Sequence, residues 1–124
     1  MDINRINIIT LAYIGDAVYE VYIRENLIEK GIAKVDDLQK RAVSFVSAKS
    51  QANILINLLN NNILTNEELE IVKRGRNYKR STHPKNTDIQ TYKLSSGFEA
   101  LIGYLYLSKN HTRLKEILNT IEVK

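Results

Sequence analysis

Apolar residues recur at helical spacing along almost the whole chain, and nowhere do they alternate as a strand would require. Leu11, Ile14, Val18 and Val21 fall on one face near the N-terminus. Gly31, after Glu29 and Lys30, reads as the residue that ends this first helix. Asp36 and Asp37 open a second segment, in which Leu38, Val43, Val46, Ala52, Leu55, Ile56 and Leu59 continue the pattern up to the polar triplet Asn60 to Asn62. Thr65-Asn66-Glu67-Glu68 reads as a cap followed by first-turn acids, predicting a short helix to about Lys73. Residues 75–88, GRNYKRSTHPKNTD, hold the only proline and no periodic apolar residues, so they read as a surface loop. From Ser95 a helix resumes and runs, with one break near Asn110, to the C-terminus. The expected fold class is all-α, in one domain spanning residues 1–124 without repeats or a separate tail.

A chain of 124 residues buries roughly two-thirds of its unfolded surface, so a core alone can hold it. It has no cysteine, which excludes disulfides and thiolate metal sites. The opening MDINRINIITLAY has no basic region ahead of an apolar stretch, and no apolar run reaches the ~20 residues that span a bilayer. The expectation is a soluble cytoplasmic protein with no membrane partner. Net charge is +4, but seven basic residues and one acid between Lys73 and Lys93 give that stretch +6. The remainder is acidic overall. Concentrated positive charge of this kind suits a phosphate backbone, and equally suits a solvated loop.

Two carboxylates are misplaced for the pattern around them. Asp16, in LAYIGDAVYEVYI, follows Gly15 inside a strongly apolar helix. Glycine there costs about 1 kcal/mol relative to alanine, and close approach of another backbone or of a ligand would offset that cost. Glu99, in SSGFEALIGYLYL, is the only charged residue in the ten from Phe98 to Leu107. A helix apolar nearly all round is a buried one, and a bare carboxylate in it needs a partner, a proton or a metal. For either acid alone, a structural ion pair or cap is the commoner role. Together they form the oxygen-donor set that Mg²⁺ prefers, since that ion takes one or two carboxylates alongside water and substrate phosphate. Such a metal can activate water and stabilise charge on a phosphodiester. The two histidines, His83 and His111, have no partner at metal-ligand spacing, and there is no phosphate-cradling glycine loop or nucleophile elbow. Ser47, Ser95 and Ser96 have no evident base and read as caps or surface.

LAYIGDAVYE resembles the signature stretch of ribonuclease III catalytic domains, and SSGFEALIGYLYL resembles their second acidic motif. KRGRN and HPKNTDIQTYK look like the Mini-ribonuclease III subgroup, which has the catalytic domain without a double-stranded-RNA-binding domain; this chain ends before such a domain would fit. The resemblance covers essentially the whole chain. It implies the all-helical endonuclease fold and a homodimer with duplex RNA lying across a cleft, one active site per strand. It also implies 5′-phosphate and 3′-hydroxyl products, and precursor ribosomal RNA of the large subunit (23S) as substrate. Asp16 and Glu99 match the family's acids, implying metal-holding and catalytic roles with Mg²⁺, Mn²⁺ being a substitute. A helper ribosomal protein is left open. The full-length family carries two further acids, and those positions are Ala12 and Ser96 here. The resemblance therefore implies a sparse site that holds metal weakly and leans on RNA phosphate, with Ser96 contributing through a bound water.

A catalytic domain alone has to grip A-form RNA by phosphates and 2′-hydroxyls. Arg74, Arg76, Lys79, Arg80 and Lys85 are the candidate phosphate contacts, with Asn77 and Asn86 as further partners, and His83 is left without a role. Tyr13, Tyr19, Tyr22, Tyr104 and Tyr106 read as core or interface residues whose hydroxyls reach a partner. The signature helix is short of polar faces, which suits a two-fold interface. Glu20 sits near the metal or pairs with Arg24 at i+4. The competing function is a non-catalytic RNA-binding or ribosome-assembly module, which would gain nothing from buried acids.

Overall fold

The helix that carries Glu99 is the hub of the molecule. In a computed structural model describing residues 1–79 and 87–121, no strand occurs among the described residues. A 3₁₀ turn, Ile3–Arg5, precedes α1 (Ile8–Glu29), α2 (Val35–Val46), α3 (Ala48–Asn60), α4 (Asn66–Asn77), α5 (Ile89–Leu107) and α6 (His111–Leu118). Helix α5 packs against α1, α3, α4 and α6. Ser95 to Phe98, Ala100 to Gly103 and Leu105 are all buried in it, as its apolar composition requires. The main core joins Phe98, Leu101 and Ile102 of α5 to Tyr19, Ile23 and Leu27 of α1, Leu55 and Leu58 of α3, and Leu114 and Ile117 of α6. A smaller cluster of Ile8, Leu11, Ala12, Ile71 and Ala100 closes the other side of α1 and α5.

The helix ends follow their local chemistry. The residue after Lys30, Gly31, adopts φ 89°, which glycine reaches without strain, and ends α1 as expected. Thr65 and Glu68 form a reciprocal capping box at the start of α4. Asp36 and Asp37 stand in the first turn of α2, and the Asn110 side chain caps α6.

The helix boundaries differ from the sequence expectation in three places. The second segment is two helices, broken at Ser47, which ends α2 with extended backbone and accepts the Ser50 N–H to begin α3. Helix α4 runs past Lys73 to Asn77, so the GRN that opened the presumed loop is helical. Helix α5 starts at Ile89 rather than Ser95, because the Asp88 carboxylate caps it through the Thr91 N–H. Ser95 and Ser96 are consequently buried inside a helix; of the three serines, only Ser47 is a cap.

The buried face of α1 is also rotated from the expected one. It runs Ile8, Leu11, Ala12, Gly15, Tyr19, Ile23 and Leu27, while Val21 is exposed. Gly15 turns toward α5 because no larger residue fits there.

Candidate active site

Helices α1 and α5 touch backbone to backbone. A Cβ added at Gly15 would lie 1.8 Å from the Glu99 carbonyl oxygen, and one added at Gly103 would lie 1.8 Å from that of Leu11. The two glycines therefore set an antiparallel register, continued where the rings of Tyr19 and Phe98 meet edge to face at 5.1 Å. Close approach of a second backbone is what offsets the helical cost of Gly15. Asp16 follows Gly15, and Glu99 is the residue Gly15 rests on, so the register itself brings the two acids to one place.

Both acids line a cavity of about 350 Å³, together with Ile9, Ala12 and Tyr13 of α1, Val46 of α2, Ala48 and Gln51 of α3, and Tyr92 and Ser95 of α5. Neither acid is buried as the apolar flanks suggested: Asp16 is exposed and Glu99 half-buried. Each projects from the side of its helix that opens on the cavity, where solvent reaches it. Their place at the rim spares the acids the full cost of desolvation. Among the described residues no third His, Asp or Glu joins them. Ala12, where the full-length family has an acid, does line this cavity. Ser96 does not: it lies on a neighbouring cavity of about 280 Å³ with Gly75, Tyr78, Lys79, Ile89, Tyr92 and Lys93. Ser95 takes the place expected of Ser96, with its hydroxyl donating to the Tyr92 carbonyl at 2.7 Å.

Gln51 is the residue that sequence reading passed over. It is 2 % exposed, and its Nε2 donates to the Val46 carbonyl at 3.0 Å across the α2–α3 corner. Its Oε1 is the one buried side-chain polar atom without a partner among the described residues. The signal was present: at helical spacing from Leu55 and Leu58, position 51 belongs to the apolar stripe of α3, and an amide stands there.

The candidate RNA contacts divide. Arg74 and Asn77 are exposed and Arg76 half-buried in the last turns of α4, where the cations also complement the helix dipole. Lys79 lies on the cavity that shares Tyr92 with the carboxylate cavity, and so does Lys93, which sequence reading counted in the charge but did not nominate. Arg80, Lys85, Asn86 and His83 lie outside the described residues. Helix α4 meets α5 closely: a Cβ at Gly75 would lie 3.0 Å from the Gly97 Cα. The basic end of α4 is thereby tied to the helix that carries Glu99.

Glu20 pairs with Arg24 at 2.8 Å and is not part of the carboxylate cavity. The tyrosines are mostly structural. The Tyr19 hydroxyl donates to the Phe45 carbonyl, that of Tyr22 to the Leu118 carbonyl, and that of Tyr104 to Glu67. Burial pushes the Tyr19 hydroxyl well above its usual pKa. Tyr13 and Tyr106 are exposed instead.

Residues 9–110 match the Ribonuclease III domain family. The chain is 47% identical over 119 residues to "Mini-ribonuclease 3" of Streptococcus pneumoniae, covering 96% of this chain and 93% of that one. It is 48% identical over 119 residues to "Mini-ribonuclease 3" of Staphylococcus aureus, covering 96% and 89%. A crystal structure of a protein from Fusobacterium nucleatum superposes with a TM-score of 0.84 at 34% identity, covering 96% of this chain and 93% of that one. With an all-helical fold and two motif acids on one cavity, the chain belongs to the ribonuclease III family of endoribonucleases, in its Mini-ribonuclease 3 branch.

Proposed function

We propose that the chain cleaves double-stranded RNA with a divalent cation, Mg²⁺ or in its place Mn²⁺, held by Asp16 and Glu99. One observation carries this reading: two acids from different helices share one cavity, in a chain whose family acts on RNA. The donor set fits such an ion. Hard cations take carboxylate and amide oxygens; the cavity offers two carboxylates, and Gln51, whose buried amide oxygen has no partner, borders it. When bound, the cation supplies a Lewis acid for the scissile phosphate and a more acidic water. The chain's own contribution is placement. Asp16 and Glu99 project from helices whose spacing is fixed by backbone contact, so the cavity that they share is set by the fold. Tyr92 and Ser95 border the same space and limit what enters.

Duplex RNA is the proposed substrate because the positive charge is suited to phosphates rather than base edges. Lys79 stands beside the site, and Arg74, Arg76 and Asn77 extend along α4. Precursor 23S ribosomal RNA as the target rests on the resemblance to the Mini subgroup; a cytoplasmic location and a helper ribosomal protein would go with that target. No helix among the described residues is long and apolar enough to cross a membrane. A homodimer is supported by α1, where Tyr13, Val21 and Ile28 form an exposed apolar stripe opposite its buried face.

The test is cleavage of duplex RNA with Mg²⁺ by wild type, Asp16→Asn and Glu99→Gln. Each variant should lose at least about 10²-fold in rate, on the scale of a lost charge-stabilising group. Both acids being solvent-accessible, the melting temperature should change little. Variants that cut as fast as wild type would remove these two residues from the site.

A further inference from the structure

With Ala12 and Ser96 in place of acids, the cation is left with two charged side chains of the protein. Gln51 is placed to add a neutral one. It borders the cavity from α3, a third helix, beside residues of the α1 and α5 helices that carry the acids. Its orientation is fixed by the Val46 carbonyl, which can only accept, so Nε2 lies there and Oε1 is the end left over. A buried carbonyl oxygen without a donor costs on the order of 1–3 kcal/mol. Pinning the α2–α3 corner uses only the nitrogen and gives no reason to keep the oxygen. A lysine or arginine at this position could donate to Val46 without bringing an orphan acceptor.

We propose that the Gln51 side-chain carbonyl is the third protein oxygen serving the hydrated cation that Asp16 and Glu99 hold. Its partner then arrives with the ion rather than from the fold. A neutral oxygen also suits this site electrostatically. It adds a ligand or an acceptor for the ion's water without adding negative charge against the incoming phosphates. The bond to Val46 holds the oxygen in place before the ion binds.

This inference rests on the cation reading of Asp16 and Glu99, and the experiment separates the two. Mn²⁺ alone, without RNA, is titrated against wild type, Asp16→Asn, Gln51→Leu and Gln51→Glu, following bound Mn²⁺ by electron paramagnetic resonance; melting temperatures are measured without metal. Gln51→Leu should weaken Mn²⁺ binding by about tenfold, as loss of a supporting metal contact does, and raise the Mg²⁺ needed for half-maximal cleavage by a similar factor. Gln51→Glu, which replaces the neutral oxygen by a charged one, should bind Mn²⁺ more tightly than wild type. If Asp16→Asn abolishes Mn²⁺ binding while both Gln51 variants bind like wild type, Gln51 is only a corner pin and the inference is overturned. If Asp16→Asn binds Mn²⁺ like wild type, the cation reading itself is overturned. A fall in melting temperature for Gln51→Leu with an unchanged Mn²⁺ affinity also overturns the inference.

Discussion

Glu68 reads in the sequence as an ordinary first-turn acid, and the fold places it at 4 % exposure. Its Oε1 accepts from the Thr65 N–H at 2.9 Å and from Arg113 Nη2 at 2.7 Å, and its Oε2 accepts from Arg113 Nε at 2.8 Å. Arg113 Nη2 also donates to the Ile63 carbonyl at 2.7 Å. Burial is the largest single influence on this carboxyl and opposes its ionisation. The hydrogen bonds from Arg113 and Thr65, with the Arg113 charge, together outweigh burial and hold its pKa below the usual carboxylate value. A depressed folded pKa means a contribution that is complete above the unfolded value and is lost as pH falls through the folded one. Glu68→Gln should therefore cost about 2–3 kcal/mol at neutral pH, since Arg113 is left without its buried partner. The gap from wild type should narrow as the solution is acidified below the usual carboxylate range. Urea melts at neutral and acidic pH test this, and a gap of constant size would contradict it. None of this was legible beforehand. The cap was visible as Thr65 with Glu68 three positions later, but Arg113 is 45 positions away and nothing local ties it to Glu68.

At the scale of elements, the crossing of α1 and α5 governs the site. Alanine in place of a mid-helix glycine normally stabilises by about 1 kcal/mol. At Gly15 and Gly103 the sign should reverse. The obstacle in each case is a backbone carbonyl at 1.8 Å, which cannot rotate away, so the helices must part. Gly15→Ala and Gly103→Ala should each lose at least about 2 kcal/mol net, and cleavage should fall further than stability because the acids separate with the helices. Thermal melts and cleavage rates on the same preparations check both parts; an Ala variant more stable than wild type would refute the packing argument. The need for close approach at Gly15 could be read from its cost in an apolar helix. Gly75 could not, because Arg74, Arg76 and Asn77 around it look like loop, and its place against Gly97 appears only once α4 and α5 are paired. The break at Ser47 was hidden for a related reason: the apolar periodicity runs through it, and a serine announces a cap only when the chain actually turns there. The start of α5 was missed because its first turns, Ile89 to Lys93, carry few apolar residues.

For the whole molecule, charge sits on one part of the chain, and the part described by the structure lies on and beside the hub helix. Lys79 borders the cavity next to the acids, while Arg76 stands half-buried one turn earlier. Replacing both by alanine should weaken duplex RNA binding at low salt, and should flatten the dependence of log affinity on log salt by roughly one unit per lost contact. Binding titrations across a salt series would show it, and an unchanged slope would take this surface out of the RNA path. The sequence reading found the acids and the basic stretch because charge out of place is visible locally. It did not place Gln51 and Ser95 on the cavity of the acids or Lys93 on its neighbour, because membership of a cavity is decided by several helices at once. The mutual stop of Gly15 against the Glu99 carbonyl, and of Gly103 against that of Leu11, has a further consequence. Each obstacle is main chain, common to all twenty residue types, so no change of neighbouring side chain can make room for a Cβ at either position. The two glycines cannot be relieved by a compensating substitution, and a drifting sequence could leave this register only by moving both helices together.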